Sequence, residues 1–337
     1  MHKLISLIVV LSGLYGGYWF VGANRLEAGL KEYLAAEHGP DDIIQIDYAN
    51  LAVRGFPNRF DTRFEEVSIE NKTNGILYSA PFFQIYALSY KPYHIIASLP
   101  HSQSLRLAGE QLGITSDEIK GSVVFDAPSL LDKALEIDRS SFVMSNLMVT
   151  SDQGWNTSIK TGSVAVRQTP TKPLHYDLAI SAQNISLPRQ LRMLVDPAGK
   201  LSELFDSIQL DSTLAFNNPL NLLADNNNQP VLEDIKVTDL TFIWDDIQFQ
   251  AKGALTIDSR GYPNGKLDLT ATNWQKIYQL AQDSGAVDPE FAPTVQNGLR
   301  VLAGMSESGE IIKASLNFTD GQMSIGPFAI GPAPRLR

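Results

Sequence analysis

The segment Ile43–Glu66, IIQIDYANLAVRGFPNRFDTRFEE, sets the fold class because its hydrophobic period is two. Ile44, Ile46 and Tyr48 alternate with polar neighbours, and beyond Gly55-Phe56-Pro57-Asn58 the residues Phe60, Thr62 and Phe64 alternate with Asp61, Arg63 and Glu65. Successive side chains of an extended chain point to opposite faces, so the pattern predicts two strands around a tight turn. Gly55 and Pro57 suit such a turn, one by tolerating positive φ and the other by fixing φ.

C-terminal to this segment, strand-like runs recur at residues 75–90, 93–99, 121–125, 140–150, 157–168 and 175–185, then at 207–216, 235–244, 247–258 and 266–272. Their spacing predicts an antiparallel meander. Helices enter as interruptions at 128–137, 188–195, 274–283 and 292–305. Strands at 310–318 and 322–330, joined by Asp320-Gly321, read as a closing hairpin. Gly261, Pro263 and Gly265 read as turn residues between strands. The predicted class is therefore mainly β, a β-rich α+β fold. It is an extended antiparallel sheet with a few covering helices, curved into an open groove or divided into two lobes near residues 188–206.

N-terminal to the first strands, Leu4–Ala23 (LISLIVVLSGLYGGYWFVGA) carries no charge. Twenty helical residues rise about 30 Å, the thickness of a bilayer core. The aromatic cluster Tyr15, Tyr18, Trp19 and Phe20 matches an interfacial belt. The small residues Val21 and Ala23 resemble a signal-peptidase site, but the apolar stretch is longer than a usual signal-peptide core. The expectation is an uncleaved anchor over residues 1–23. A helical stalk over 24–40 follows, with Leu26, Leu30, Tyr33 and Leu34 on one face, and then a β-rich domain over 41–337. Lys3 and Arg25 balance, so orientation rests on the short N-terminus. This places the protein in the inner membrane, single-pass, with the large domain in the periplasm.

The chain of 337 residues has 44% apolar content and a formal net charge of -10, a globular composition without the basic clusters that nucleic acid requires. It has no cysteine, which removes disulfides and thiolate chemistry. The five histidines show no zinc-binding spacing. Gly304–Gly309 departs from a nucleophile elbow by one residue, and the Asp225–Gln229 stretch lacks the glycine and glutamate of a calcium loop. Glu65-Glu66 and Asp245-Asp246 are sequence neighbours on or beside strands, where adjacent side chains diverge. No catalytic residue, metal or cofactor is expected, and the chain reads as a non-enzyme.

Three blocks, VRGFPNRFD (Val53–Asp61), GALTIDSRGYPNGKLDLTATNW (Gly253–Trp274) and LNFTDGQMSIGPFAIGPAPRL (Leu316–Leu336), resemble an alphaproteobacterial envelope family of unknown function, domain of unknown function 2125. More distantly they resemble the AsmA-like periplasmic β-groove proteins. The resemblance implies an anchored periplasmic domain that shields lipid acyl chains, and it implies no catalytic residues. Independently, the apolar runs around Phe82–Tyr90 and Leu240–Phe249 carry bulk beyond ordinary alternation. Phe83, Ile85, Leu88, Phe242, Trp244 and Phe249 are thus candidates for a lipid groove, weighed against simple core packing. Arg54, Arg59 and Arg260, beside glycine-proline turns, are candidates for a phosphate head group, weighed against ion pairs with local aspartates. The expected partners are the membrane through the N-terminal helix and phospholipid, or else envelope proteins in a purely structural role.

Overall fold

The computed structural model describes residues 2–40, 42–127, 134–224, 228–290, 292–304, 309–325 and 328–336, with only the backbone of Phe328. The fold is strand-rich and antiparallel throughout, as the alternation predicts. Two compact units form: one from Met1–Val124 with Leu147–Gly154, the other from Phe125–Asn146 with Trp155–Arg337. The interval 188–206 lies inside the second unit.

The first unit begins with α1 (His2–Glu37), one uninterrupted helix that runs through the segments expected as anchor and stalk. Strands β1 (Ile44–Asp47), β2 (Asn50–Arg54), β3 (Arg59–Asn71) and β4 (Ile76–Leu88) follow, then β5 (Lys91–Ser98), β6 (Ser102–Leu107), β7 (Glu110–Thr115) and β8 (Glu118–Phe125). Strand β3 pairs with β2 along its first half and with β1 along its second, so the segment holds three strands rather than two. The turn Gly55–Asn58, with a cis Phe56-Pro57 peptide, joins β2 to β3. A Cβ at Gly55 would lie 2.9 Å from the Arg59 carbonyl, so only glycine fits there.

Leu51, Phe64 and Phe83 stand opposite one another across β2, β3 and β4, and this row seeds the core. Leu34, Val67 and Ala80 complete it, with Leu30, Ile46, Tyr48, Tyr78 and Ile85 packed around. Burial of each large apolar side chain contributes roughly 1.5–3 kcal/mol. Leu30 and Leu34 face the sheet as their spacing predicts, but Leu26 and Tyr33 flank the contact and stay 38% and 56% exposed.

Strands β6 and β7 have no counterpart in the sequence reading. They meet at Ala108-Gly109, both at positive φ. Alanine rarely adopts that conformation, so the turn carries no glycine-asparagine signature.

The second unit is a meander. Strand β9 (Ile137–Ser151) enters it through its first part and pairs with β10 (Asn156–Gln168). Strands β11 (His175–Ser186), β12 (Leu204–Phe216), β13 (Leu232–Trp244), β14 (Ile247–Ile257), β15 (Pro263–Thr272), β16 (Ile311–Thr319), β17 (Gln322–Ile325) and β18 (Phe328–Pro332) then pair each with the next. Helix α2 (Arg189–Val195) interrupts the meander before β12, and α3 (Trp274–Asp283) and α4 (Ala292–Ala303) interrupt it before β16.

The strands depart from the sequence expectation at Gly265 and at the C-terminal hairpin. Gly265 lies within β15, opposite Leu255, where a Cβ would meet the Ala254 carbonyl at 2.4 Å, so its role is close strand approach rather than a turn. The closing element is three-stranded, because β18 folds back on β17 with Ile325 opposite Phe328. The helix expected at 128–137 falls mostly outside the described residues, and its last residue, Ile137, opens β9.

Candidate apolar binding site

In the second unit, the alternation of β12, β13 and β14 puts Ile208, Leu240, Phe242, Trp244, Ile247 and Phe249 on one face, with Phe242 directly opposite both Ile208 and Phe249. The other face carries Asp239, Thr241, Gln248 and Gln250, with Ile243 among them. A sheet with one dry and one wet side must cover the dry one, and α3 does so incompletely. Leu280 and Ile277 pack against Leu201, Phe205 and Trp244, yet between helix and sheet an apolar cavity of about 510 Å³ remains. Val195 at the end of α2 and Ala281, Ser284 and Ala286 complete its wall, and Ser284 is the one hydroxyl-bearing side chain among the lining residues.

The wall is held by specific hydrogen bonds. The Trp244 indole, 3% exposed, donates to the Ser202 carbonyl at 3.1 Å. The Phe205 ring sits edge-on to Phe242 at 4.0 Å between centroids. Buried Asp196 accepts from the Lys200 and Leu201 amides, both at 2.9 Å, and so fixes the loop after α2. Helix α3 is held by Lys276 to Asp246 at 2.5 Å and by Lys200 to Asp283 at 2.7 Å. The Lys276 ammonium beside Asp246 is the main reason that carboxyl titrates below the usual aspartate range. With so few polar groups in its wall, the cavity suits hydrocarbon rather than a polar ligand.

The six groove candidates divide between the units. Phe242, Trp244 and Phe249 line the cavity together. Phe83 and Ile85 lie against the core of the first unit. Leu88 pairs with Arg59 at the end of β4. The apolar run Leu240–Phe249 also supplied Leu240 and Ile247 to the wall, whereas Ile208, Ile277 and Ala281 were missed, although strand alternation and the helical spacing of α3 carried the signal.

The arginines also divide. Arg59 Nη2 lies 2.9 Å from Asp61 Oδ2, and Arg260 Nη2 lies 2.8 Å from Asp258 Oδ2, so both have local ion-pair partners. Arg54 is exposed beside Asn50, Asp61, Arg63, Glu65 and Gln84, around a polar depression of about 460 Å³. Asp61 is 8% exposed, with Oδ1 unpartnered, and burial raises its carboxyl above the usual range although Arg59 opposes the shift.

The histidines are dispersed among local partners. His94 meets the Ser122 hydroxyl at 3.1 Å and His101 the Ser116 carbonyl at 2.9 Å. His175 meets the Pro173 carbonyl at 2.9 Å and His38 that of Ile44 at 3.1 Å. Among the described residues, no three histidine, aspartate or glutamate side chains gather as metal ligands. Asp245 and Asp246 form the β13–β14 turn and serve different partners, the Ser202 amide and Lys276. Residues 305–308 and 225–227 lie outside the described residues.

Helix α1 is long and apolar enough to cross a membrane, with 6% of its most apolar 18-residue stretch buried. No curated protein and no solved structure matches the chain, and the AsmA-like relationship gains no support from those comparisons. The DUF2125 family, described as an uncharacterized protein conserved in bacteria, matches residues 19–334, and the chain belongs to that family.

Proposed function

We propose that this protein is a non-enzymatic, membrane-anchored envelope protein that holds a lipid acyl chain in the cavity between α3 and the β12–β14 face. The observation that carries the reading is the cavity wall, which offers hydrocarbon an apolar surface with Ser284 as the one hydroxyl-bearing side chain among the described residues that line it. Val195, 46% exposed, lines the cavity, so the apolar wall reaches the surface. An inner-membrane location with the β-rich domain in the periplasm accords with the length and apolar composition of α1.

Retention of α1 is supported by its contacts with the β2–β3 turn. The Trp19 indole, 4% exposed, donates to the Arg59 carbonyl at 2.8 Å, and the Tyr15 hydroxyl donates to that of Pro57 at 3.0 Å. Cleavage after Ala23 would remove both.

The test is photocrosslinking in cells, with a benzophenone amino acid in place of Ile277 and a control at Thr241 on the wet face. Lipid adducts at 277 and none at 241 are expected. A second reading, a structural protein that docks envelope partners without a lipid ligand, is favoured by α2, where Leu191, Met193, Leu194 and Val195 are 46–69% exposed. Protein adducts at 194 with no lipid adduct at 277 would select that reading.

A further inference from the structure

We propose that the turn between β2 and β3 and the turn between β4 and β5 enter the bilayer from its head-group layer to the depth of Tyr15–Phe20, so that the first unit is seated directly in the membrane surface rather than held away from it on a stalk. This rests on the reading of α1 as a membrane anchor and is independent of the cavity in the second unit.

The geometry begins with the helix. Leu4–Leu14 precedes the first contact with the sheet, and these eleven residues rise about 16 Å, close to half of a bilayer core. The rest of the crossing therefore falls to Tyr15–Ala23, the stretch bound to the two turns. The Tyr15 hydroxyl reaches the Pro57 carbonyl and the Ser89 hydroxyl, both at 3.0 Å. The Tyr18 hydroxyl donates to the Ser89 carbonyl at 3.2 Å, and the Trp19 indole to that of Arg59. Phe20 stacks on Phe56 with centroids 5.4 Å apart, and Trp19 stacks on Phe60 at 5.9 Å. Gly22 permits this approach, because a Cβ there would already lie 3.1 Å from the Phe60 ring. A helix crossing the bilayer thus carries these turns to the depth of its own aromatic residues.

The surface of the turns matches that environment. Phe56, Tyr90, Tyr18 and Phe20 are 53–63% exposed, an aromatic belt shared by helix and sheet. Arg54, Arg59 and Lys91 stand at the strand ends beside these turns and are exposed, which gives lipid phosphates positive charge to meet. The opposite end of the β3–β4 hairpin, Lys72–Gly75, carries no large apolar side chain.

The native chain has no cysteine, so single-cysteine variants of the full protein can carry one nitroxide label in phosphatidylethanolamine–phosphatidylglycerol vesicles. Collision with oxygen, which concentrates in lipid, is compared with collision by a water-soluble nickel chelate. Labels at Phe56→Cys and Tyr90→Cys are expected to show several-fold less nickel collision and more oxygen collision than a label at Asn74→Cys. Equal, water-like values at 56, 90 and 74, with a bilayer value at Ile8→Cys, would overturn the seating and leave the anchor standing. A water-like value at Ile8→Cys would overturn both.

Discussion

Trp19 shows how one residue serves two solvents. Its ring lies in an apolar helix, while its N–H is satisfied by Arg59 of the sheet. Replacing Trp19 with Phe keeps the helix apolar but removes this part-buried hydrogen bond, which costs about 0.5–1.5 kcal/mol. Chemical unfolding of the full chain in detergent should show a lower midpoint, with α1 still membrane-inserted. Tyr78 gives a pH signature. Burial pushes its hydroxyl up to about 12 from the ordinary value of 10.0, while it donates to Gln103 Oε1 at 2.7 Å. The folded state keeps the proton that the unfolded state releases, so this contribution is intact below pH 10 and is lost as the pH rises toward 12. The stability advantage of the native chain over Tyr78→Phe should therefore shrink across that interval in a pH series of unfolding curves.

At the scale of elements, period-two alternation located most strands, and the helical spacing of 274–283 gave α3 its observed limits. What stayed hidden has physical causes. The Ala108-Gly109 turn depends on an alanine at φ 51°, which sequence preference does not anticipate. Leu26 and Tyr33 share helical spacing with Leu30 and Leu34 but lie on the flank of the face that meets the sheet. Glycines within strands were also ambiguous. Gly253 on β14 has the Lys266 carbonyl 2.1 Å from where a Cβ would sit. Gly253→Ala must push β14 and β15 apart and should cost more than about 2 kcal/mol, read as a lower thermal midpoint. Gly75→Ala differs, since open space surrounds that site and only its φ of 68° opposes the change. Its loss should be about 1 kcal/mol.

At the scale of the whole chain, the sequence placed an apolar helix before a β-rich body, and α1 and the antiparallel strands bear this out. The candidate site was half legible. Phe242, Trp244 and Phe249 share a wall because strand alternation aligns them, but only tertiary packing shows that α3 leaves space above them while α1 and its neighbours fill the space around Phe83 and Ile85. An aromatic run alone does not distinguish a covered face from an open one. Ala281 offers a direct intervention, because a tryptophan there fills the cavity from the helix side without adding a charge. The decisive measurement is native mass spectrometry of the full chain purified from its membrane, beside Ala281→Trp. The account predicts a stoichiometric lipid on the native chain that is lost from the variant while circular dichroism stays the same. A folded native chain free of lipid, or lipid retained at equal stoichiometry by Ala281→Trp, would contradict it.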